Sequence, residues 1–361
     1  MKFFRYKLPF KQPFRTSRKC FTNREGFILQ CDYLAFSCYG DAAPLPGFSK
    51  ESLAEVNDQI SHYQNTLDRY FMQDKGYADW KSFAESLDLH PSLRFGLDTF
   101  LFDRLAKKRG IALNKHFSSE SIDAIPINVA LGIGSAEKTI DQCKSYWSEG
   151  FRNFKIKVGA DFDLALSTIK QVRKIFPKSN IRIDPNQSWS MDEAIDHLQQ
   201  LSSFHIEFCE QPVDSENIEG LAEVRHATEI PIAADEAVRD LQSMQSVIDH
   251  EAADILIIKP MLIGSFDIIF QLVKQATAHN MESVFTTSIE SGVGRLATAH
   301  LTSFLGSRKY AHGLATGYYF ENDIIYDKEC ISSGNYNLPE NRGIGLDPES
   351  ESGELLKLGV S

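Results

Sequence analysis

Between residues 116 and 316 the chain repeats one pattern. Short apolar runs closed by a charged residue alternate with stretches of amphipathic helical spacing. The runs recur at intervals of roughly 25 residues, the length of one strand, helix and loops in a βα barrel. Asn180-Ile181-Arg182-Ile183-Asp184 and Ile206-Glu207-Phe208-Cys209-Glu210 each end in an acid. Pro231-Ile232-Ala233-Ala234-Asp235-Glu236 ends in two acids, and Asp254-Ile255-Leu256-Ile257-Ile258-Lys259 ends in a lysine. Phe154-Lys155-Ile156-Lys157-Val158-Gly159 precedes them. Alternation along a strand puts Lys155 and Lys157 on one face and Phe154, Ile156 and Val158 on the other. Alone, that run also suits an edge strand with a wet lysine face. The repetition favours parallel strands buried on both faces. Pro126 to Gly132 reads as the first barrel strand, Glu282 to Ser288 as the seventh and Tyr310 to Ala315 as a weak eighth. Helices are expected at Asp163 to Phe176, Met191 to Leu201 and Ser265 to His279.

Residues 1–115 follow another pattern. Strand-like alternation at Phe3 to Leu8, Phe27 to Asp32 and Leu34 to Gly40 surrounds a basic, polar stretch, Lys11 to Glu25. That stretch reads as a loop, either a lid or a plain surface connection. The turn-rich apolar segment Leu45-Pro46-Gly47-Phe48 follows. Ser49 is the expected N-cap of the next helix, with Ser52 the other candidate. Helical spacing runs from Ser52 to Arg109, and Gly110 ends it. After Thr316 the pattern turns irregular, and residues 317–361 read as a tail returning to the first domain.

Composition narrows the function. The chain has 361 residues, 42% hydrophobic, with net charge −11 and no basic run. This gives no electrostatic case for nucleic acid or an anionic membrane. No stretch approaches a membrane span, and the N-terminus lacks a signal-peptide core. Six cysteines show no CxxC pair and no zinc-ligand spacing, which suits reduced thiols in a cytoplasmic protein. The sequence leaves a homo-oligomer open.

In such a barrel the strand ends converge on one mouth. There Asp184, Glu210 and Asp235 would meet, and buried carboxylates must be paired or ligate metal. Each acid alone suits a lysine pair or a loop cap. All three in phase, with Asn186 two positions on, suit a hard divalent ion with oxygen ligands, and Mg²⁺ above others. Lys157 and Lys259 would face each other across the mouth. A lysine acting as base near neutral pH needs its pKa lowered by about three units. A like charge at about 4 Å supplies energy of that order, and Lys155 on the same strand face is placed to do so.

Lysines with Mg²⁺ around an enediolate are the chemistry of the enolase superfamily. Lys155-Ile156-Lys157, Asp184 with Asn186, Glu210-Gln211-Pro212, Asp235-Glu236 and Lys259-Pro260 resemble its muconate-lactonising branch over nearly the whole chain. The resemblance implies an α/β fold: a modified TIM barrel, (β/α)₇β, with an N-terminal α+β capping domain completed by the C-terminal tail. Within the branch several stretches are similar to o-succinylbenzoate synthases: Arg24-Glu25-Gly26, Ala43 to Ser49, Pro91 to Asp98, Gly264-Ser265 and Ser288 to Gly294. That likeness implies a small-molecule carboxylate substrate, a cyclohexadiene acid, dehydrated to an aromatic succinylbenzoate on the menaquinone pathway. It implies Asp184, Glu210 and Asp235 as Mg²⁺ ligands, with Mn²⁺ able to serve instead. Lys157 becomes the acid/base, Lys259 the group that stabilises the enediolate, and Ser288 and Gly313 contacts for the succinyl end. Lys155, Asn186 and Glu236 support them.

Rival readings remain. An N-succinyl amino acid racemase or a dipeptide epimerase would use Lys157 and Lys259 as opposed bases. The acid-free segment Gly313 to Tyr318 counts against the epimerase, which needs a partner for the substrate amine. A Schiff-base aldolase also uses a buried lysine but does not need three carboxylates. A barrel that only binds a ligand has no use for both lysines. Gly292 and Gly294 are too loosely spaced for a phosphate loop.

Overall fold

The computed structural model describes residues 1–15, 20–33, 35–132, 134–159, 161–325 and 327–346. Its cap opens with two long antiparallel strands, β1 (Lys2–Arg15) and β2 (Cys20–Tyr33), joined edge-on to β3 (Phe36–Ala42). Lys11–Arg15 and Cys20–Glu25 are therefore arms of a hairpin and not the loop expected from their polarity. Its tip, residues 16–19, lies outside the described residues. Lys11, Gln12 and Pro13 are exposed. That exposed run has no alternation to read.

Three helices follow, α1 (Leu53–Phe71), α2 (Tyr77–Glu85) and α3 (Pro91–Arg109), across the range of expected helical spacing. Ser52 caps α1 in a capping box with Glu55. Ser49, the first choice for that cap, instead accepts from the Leu45 backbone N–H at 2.8 Å and closes the Leu45–Phe48 turn. Gly110 ends α3 in the left-handed conformation at φ 69°. α3 is buried on nearly every side because it runs between the cap sheet and the barrel. Gly40 of β3 and Gly96 of α3 make backbone contact that a side chain would block.

After α4 (Leu113–Phe117) comes β4 (Ala124–Pro126), and then the barrel begins at β5 (Val129–Leu131). The expected first strand, Pro126 to Gly132, thus divides at Ile127-Asn128. The barrel continues as α5 (Ala136–Ser148), β6 (Asn153–Lys157), α6 (Phe162–Ile175), β7 (Asn180–Asp184), α7 (Met191–Leu201), β8 (Ile206–Glu210), α8 (Ile218–Ala227) and β9 (Ile232–Ala234). It ends with α9 (Leu241–Asp249), β10 (Ile255–Ile258), α10 (Pro260–Ile263), α11 (Phe266–Ala278), β11 (Glu282–Phe285) and α12 (Gly292–Leu305). β5 to β11 form one parallel sheet in sequential order. Its edges are joined by residues 311–313: His312 bridges Ile127 and Gly313 bridges Thr286, both parallel. The sheet is therefore curled and closed through this segment. Phe208, Ala233, Ile255, Ile257, Val284 and Tyr310 fill one apolar cluster. Their strand neighbours Cys209, Leu256 and Ile258 belong to the larger core shared with the helices.

The chain returns to the cap after the barrel. β12 (Ile331–Ser332) pairs with β13 (Asn335–Asn337), which pairs antiparallel with β4. Phe320 stacks on Phe10 of β1 at 5.0 Å between centroids, and Gly343 exchanges backbone hydrogen bonds with Ile111 and Leu113. Cys20, Cys31, Cys38, Cys143 and Cys209 stand outside any disulfide. Among the described residues no helix is long and apolar enough to cross a membrane.

Candidate active site

β6 buries Phe154 and Ile156 and sends Lys155 and Lys157 to the opposite face. In register, Lys155 lies beside Arg182 and Lys157 beside Asp184 of β7. One network results. Lys157 Nζ donates to Asp184 Oδ2 at 2.5 Å and to Asn186 Oδ1 at 2.7 Å. Lys155 Nζ lies 2.8 Å from the same Asp184 oxygen and 2.5 Å from Glu210 Oε1. Lys259, just past β10, donates to Asp235 Oδ2 at 2.5 Å. The acids are nearly inaccessible, with Asp184, Glu210 and Asp235 exposed by 1%, 2% and 5%.

Burial alone would raise the Asp184 carboxyl, but Lys155 and Lys157 outweigh it and hold it well below the usual range. Glu210 goes the other way. Burial, with the like charges of Asp184 and Asp235, pushes it up to about 7 against the pull of Lys155. Burial also raises Asp235, against Lys259. Burial would lower Lys155 and Lys259, yet the carboxylates around them keep both raised. Lys155 therefore does not stand as a free like charge beside Lys157. Its ammonium is engaged by Asp184 and Glu210.

Among the described residues no three metal-ligating side chains converge as a ready cage. The ammonium groups, not one another, satisfy the three acids. The donor chemistry nevertheless fits a hard cation. Three buried carboxylates end adjacent strands without a histidine, and burial with the like charges of the other two raises Glu210.

The supporting residues divide. Asn186 adopts φ 50° and returns its backbone N–H to Asp184 Oδ1 at 2.9 Å, so the turn after β7 aims both groups at Lys157. Glu236 Oε2 is buried without a hydrogen-bond partner among the described residues. Ser288 Oγ is likewise buried and unpartnered, while its N–H donates to Glu290. Gly313 lines a small open cavity of about 60 Å³ with Lys155, Glu210, Arg182, Thr316 and Tyr319. Lys157, Lys259 and Ser288 do not line that cavity, which lies towards β5 and the closing segment.

Residue-by-residue reading of the strand ends gave no role to two further groups. Gln211 Oε1 accepts from the N–H groups of Asp235 and Ala237 at 3.0 and 3.2 Å, tying the ends of β8 and β9 together. Arg182 donates to Glu207 and, across the barrel, to the Ala311 carbonyl at 2.8 Å, which fixes the strand bearing Gly313. Gln211 was visible as the middle of Glu210-Gln211-Pro212, but nothing in the sequence shows where its amide points.

A curled parallel sheet under an α+β cap, with lysines and acids at the strand ends, defines an enolase-type fold. Residues 138–352 match the family model described as "Enolase C-terminal domain-like", and the chain belongs to that family. Residues 1–103 match a model described as "MenC, N-terminal domain". An o-succinylbenzoate synthase of Desulfotalea psychrophila is 26% identical over 88% of this chain and 93% of its own. An L-Ala-D/L-Glu epimerase of Bacillus subtilis is 26% identical over 95% and 94%. The structure of an Enterococcus faecalis dipeptide epimerase complexed with Mg and a dipeptide superposes with TM-score 0.85 at 20% identity, covering 96% of this chain and 98% of that one.

Proposed function

We propose that the chain is a cytoplasmic, Mg²⁺-dependent o-succinylbenzoate synthase. It dehydrates 2-succinyl-6-hydroxy-2,4-cyclohexadiene-1-carboxylate to 2-succinylbenzoate in menaquinone biosynthesis. The observation that carries the reading is the match of residues 1–103 to the MenC N-terminal model, because those residues supply the cap over the lysines. Phe48 of the cap lies 5.9 Å from Lys259 Nζ, ring centroid to nitrogen.

In this reading Asp184, Glu210 and Asp235 would hold Mg²⁺, which would supply Lewis-acid stabilisation for the substrate carboxylate. Lys157 takes the proton alpha to that carboxylate and returns it to the departing hydroxyl. Lys259, held cationic by Asp235, stabilises the charge that builds on the opposite face. The apolar turn Leu45–Phe48 excludes water from the ring.

A same-site epimerase is the second reading, favoured by the equal identity and longer coverage of the Bacillus subtilis enzyme. Against it, Gly313 to Tyr318 offers no acid for a substrate amine. The test is kcat/KM for the cyclohexadiene acid, a dipeptide and an N-succinyl amino acid on one Mg²⁺-loaded preparation. The cyclohexadiene acid should give the highest value. A higher value for either rival overturns the assignment.

A further inference from the structure

Arg24 lies on β2 and is 3% exposed. A buried guanidinium has five donors to satisfy and is costly without partners. Here the acceptors are backbone carbonyls from separate segments. Nη2 donates to Ala43 at 2.5 Å and Nη1 to Pro44 at 2.7 Å, both leading into the Leu45–Phe48 turn. Nε donates to Ile289 at 3.1 Å, in the loop between β11 and α12. Nη1 also donates to its own neighbour, Glu25, at 2.8 Å. One rigid fork thus holds a loop of the cap and a loop of the barrel at fixed separation.

Each loop carries a distinctive side chain. The first carries Phe48 over Lys259. The second carries Ser288 with its buried, unpartnered hydroxyl. The second loop is also strained, because Ile289 sits at φ 59°. A β-branched residue there is an outlier that persists only when its surroundings impose it. The Arg24 bond to the Ile289 carbonyl is one such constraint.

We propose that Arg24 is a positioning residue that fastens the Phe48 loop to the Ser288 loop, so that the two walls of the site open and close as one. It rests on reading this mouth as the active site, but its first test needs no turnover. In the wild-type protein, hydrogen exchange at residues 43–48 and 288–291 should lose protection in step across a low-denaturant series. Independent opening of the two segments overturns the proposal. Arg24→Lys keeps the charge and loses the fork. Both segments should then exchange faster together, while β6 to β8 do not. Loosening of one segment alone overturns the coupling.

Function supplies the second test. A substrate that must first order both loops binds more weakly by the fraction of time they are closed. With closure cut to roughly one tenth, KM for the cyclohexadiene acid rises about tenfold and kcat stays within about threefold. Mg²⁺ affinity, measured by titration calorimetry, should not change. A fall in kcat at constant KM overturns the positioning role. In a Phe48→Ala background, Arg24→Lys should add less than about twofold to KM, since two residues that act through one shared loop are not additive. A full tenfold addition would count against it. If the wild type fails to turn over the cyclohexadiene acid, the functional assignment falls, while the exchange experiment still decides the role of Arg24.

Discussion

Glu290 should make the protein less stable as pH rises through neutrality, and Glu290→Gln should remove that loss. The carboxyl has no exposed surface. It accepts from the Ser288 N–H and, at 3.2 Å, from the Thr298 hydroxyl. Burial pushes it from its ordinary 4.5 up to about 7, with Asp41 adding to the rise and Arg24 and Arg295 opposing it. Below pH 4.5 both folded and unfolded chains carry the proton, and the group contributes nothing to the pH dependence. Between 4.5 and 7 the unfolded chain releases it and the folded chain keeps it, so stability falls. A shift of this size is worth about 3 kcal/mol, fully expressed above pH 7. Glutamine mimics the protonated acid and stays neutral. Urea unfolding of wild type and Glu290→Gln should therefore differ little near pH 4.5. Near pH 8 the variant should be more stable by up to about 3 kcal/mol. Asp41, pushed up to about 6 chiefly by burial, titrates in both proteins and largely cancels. A variant destabilised equally at both pH values would refute the reasoning.

Other outcomes follow from the site and its frame. Lys157→Ala should lose roughly 10²–10⁴-fold in kcat, together with deuterium exchange at the substrate alpha carbon, read by mass spectrometry. Lys259→Ala should lose roughly 10²–10³-fold, and near-wild-type activity would contradict a two-sided mechanism. Chelation should abolish turnover, and Mg²⁺ or Mn²⁺ should restore it, as followed by the absorbance of the aromatic product. Gly40→Ala drives a methyl group into the Gly96 carbonyl, so it should cost at least about 1–3 kcal/mol in thermal or urea unfolding.

The strand ends were legible because a buried parallel strand must be apolar until the mouth, where charge returns. Asp184, Glu210 and Lys259 each stand where that rule puts them. Legibility failed where a segment lacks a buried face or answers to a distant partner. The hairpin arms around residues 11–25 are mostly polar and look like a loop. The first barrel strand breaks because Ala124–Pro126 is claimed by β13, more than 200 residues later. Ser49 and Ser52 are equally good caps by type, and only Glu55, three residues after Ser52, decides between them. The ion pairing of Lys155 was hidden for another reason. A lysine on the right face can repel its neighbour or bind an acid across the sheet, and strand spacing does not say which.

The stretches that resemble one subfamily mark the joint between cap and barrel more than the mouth itself. Within Pro91–Asp98, Asp98 accepts from Trp80 Nε1 and Arg94 Nε, and its second oxygen accepts from the Phe266 N–H at 2.8 Å, capping α11. Gly264, at φ 88°, packs its backbone on Pro91. Asp41 of the cap accepts from the Ser291 N–H and hydroxyl at the start of α12, where Gly294 leaves room for it. These carboxylates satisfy helix N-termini of the barrel from inside the cap. The orientation of the cap is thus set by buried, directional bonds, which tolerate little displacement. Phe48 inherits its position over Lys259, and Ser288 its place in the loop before α12, from that joint. Substitutions at Asp98 or Asp41 should accordingly disturb substrate selection before they disturb proton transfer, since Lys157 and Lys259 are held by acids of the barrel alone.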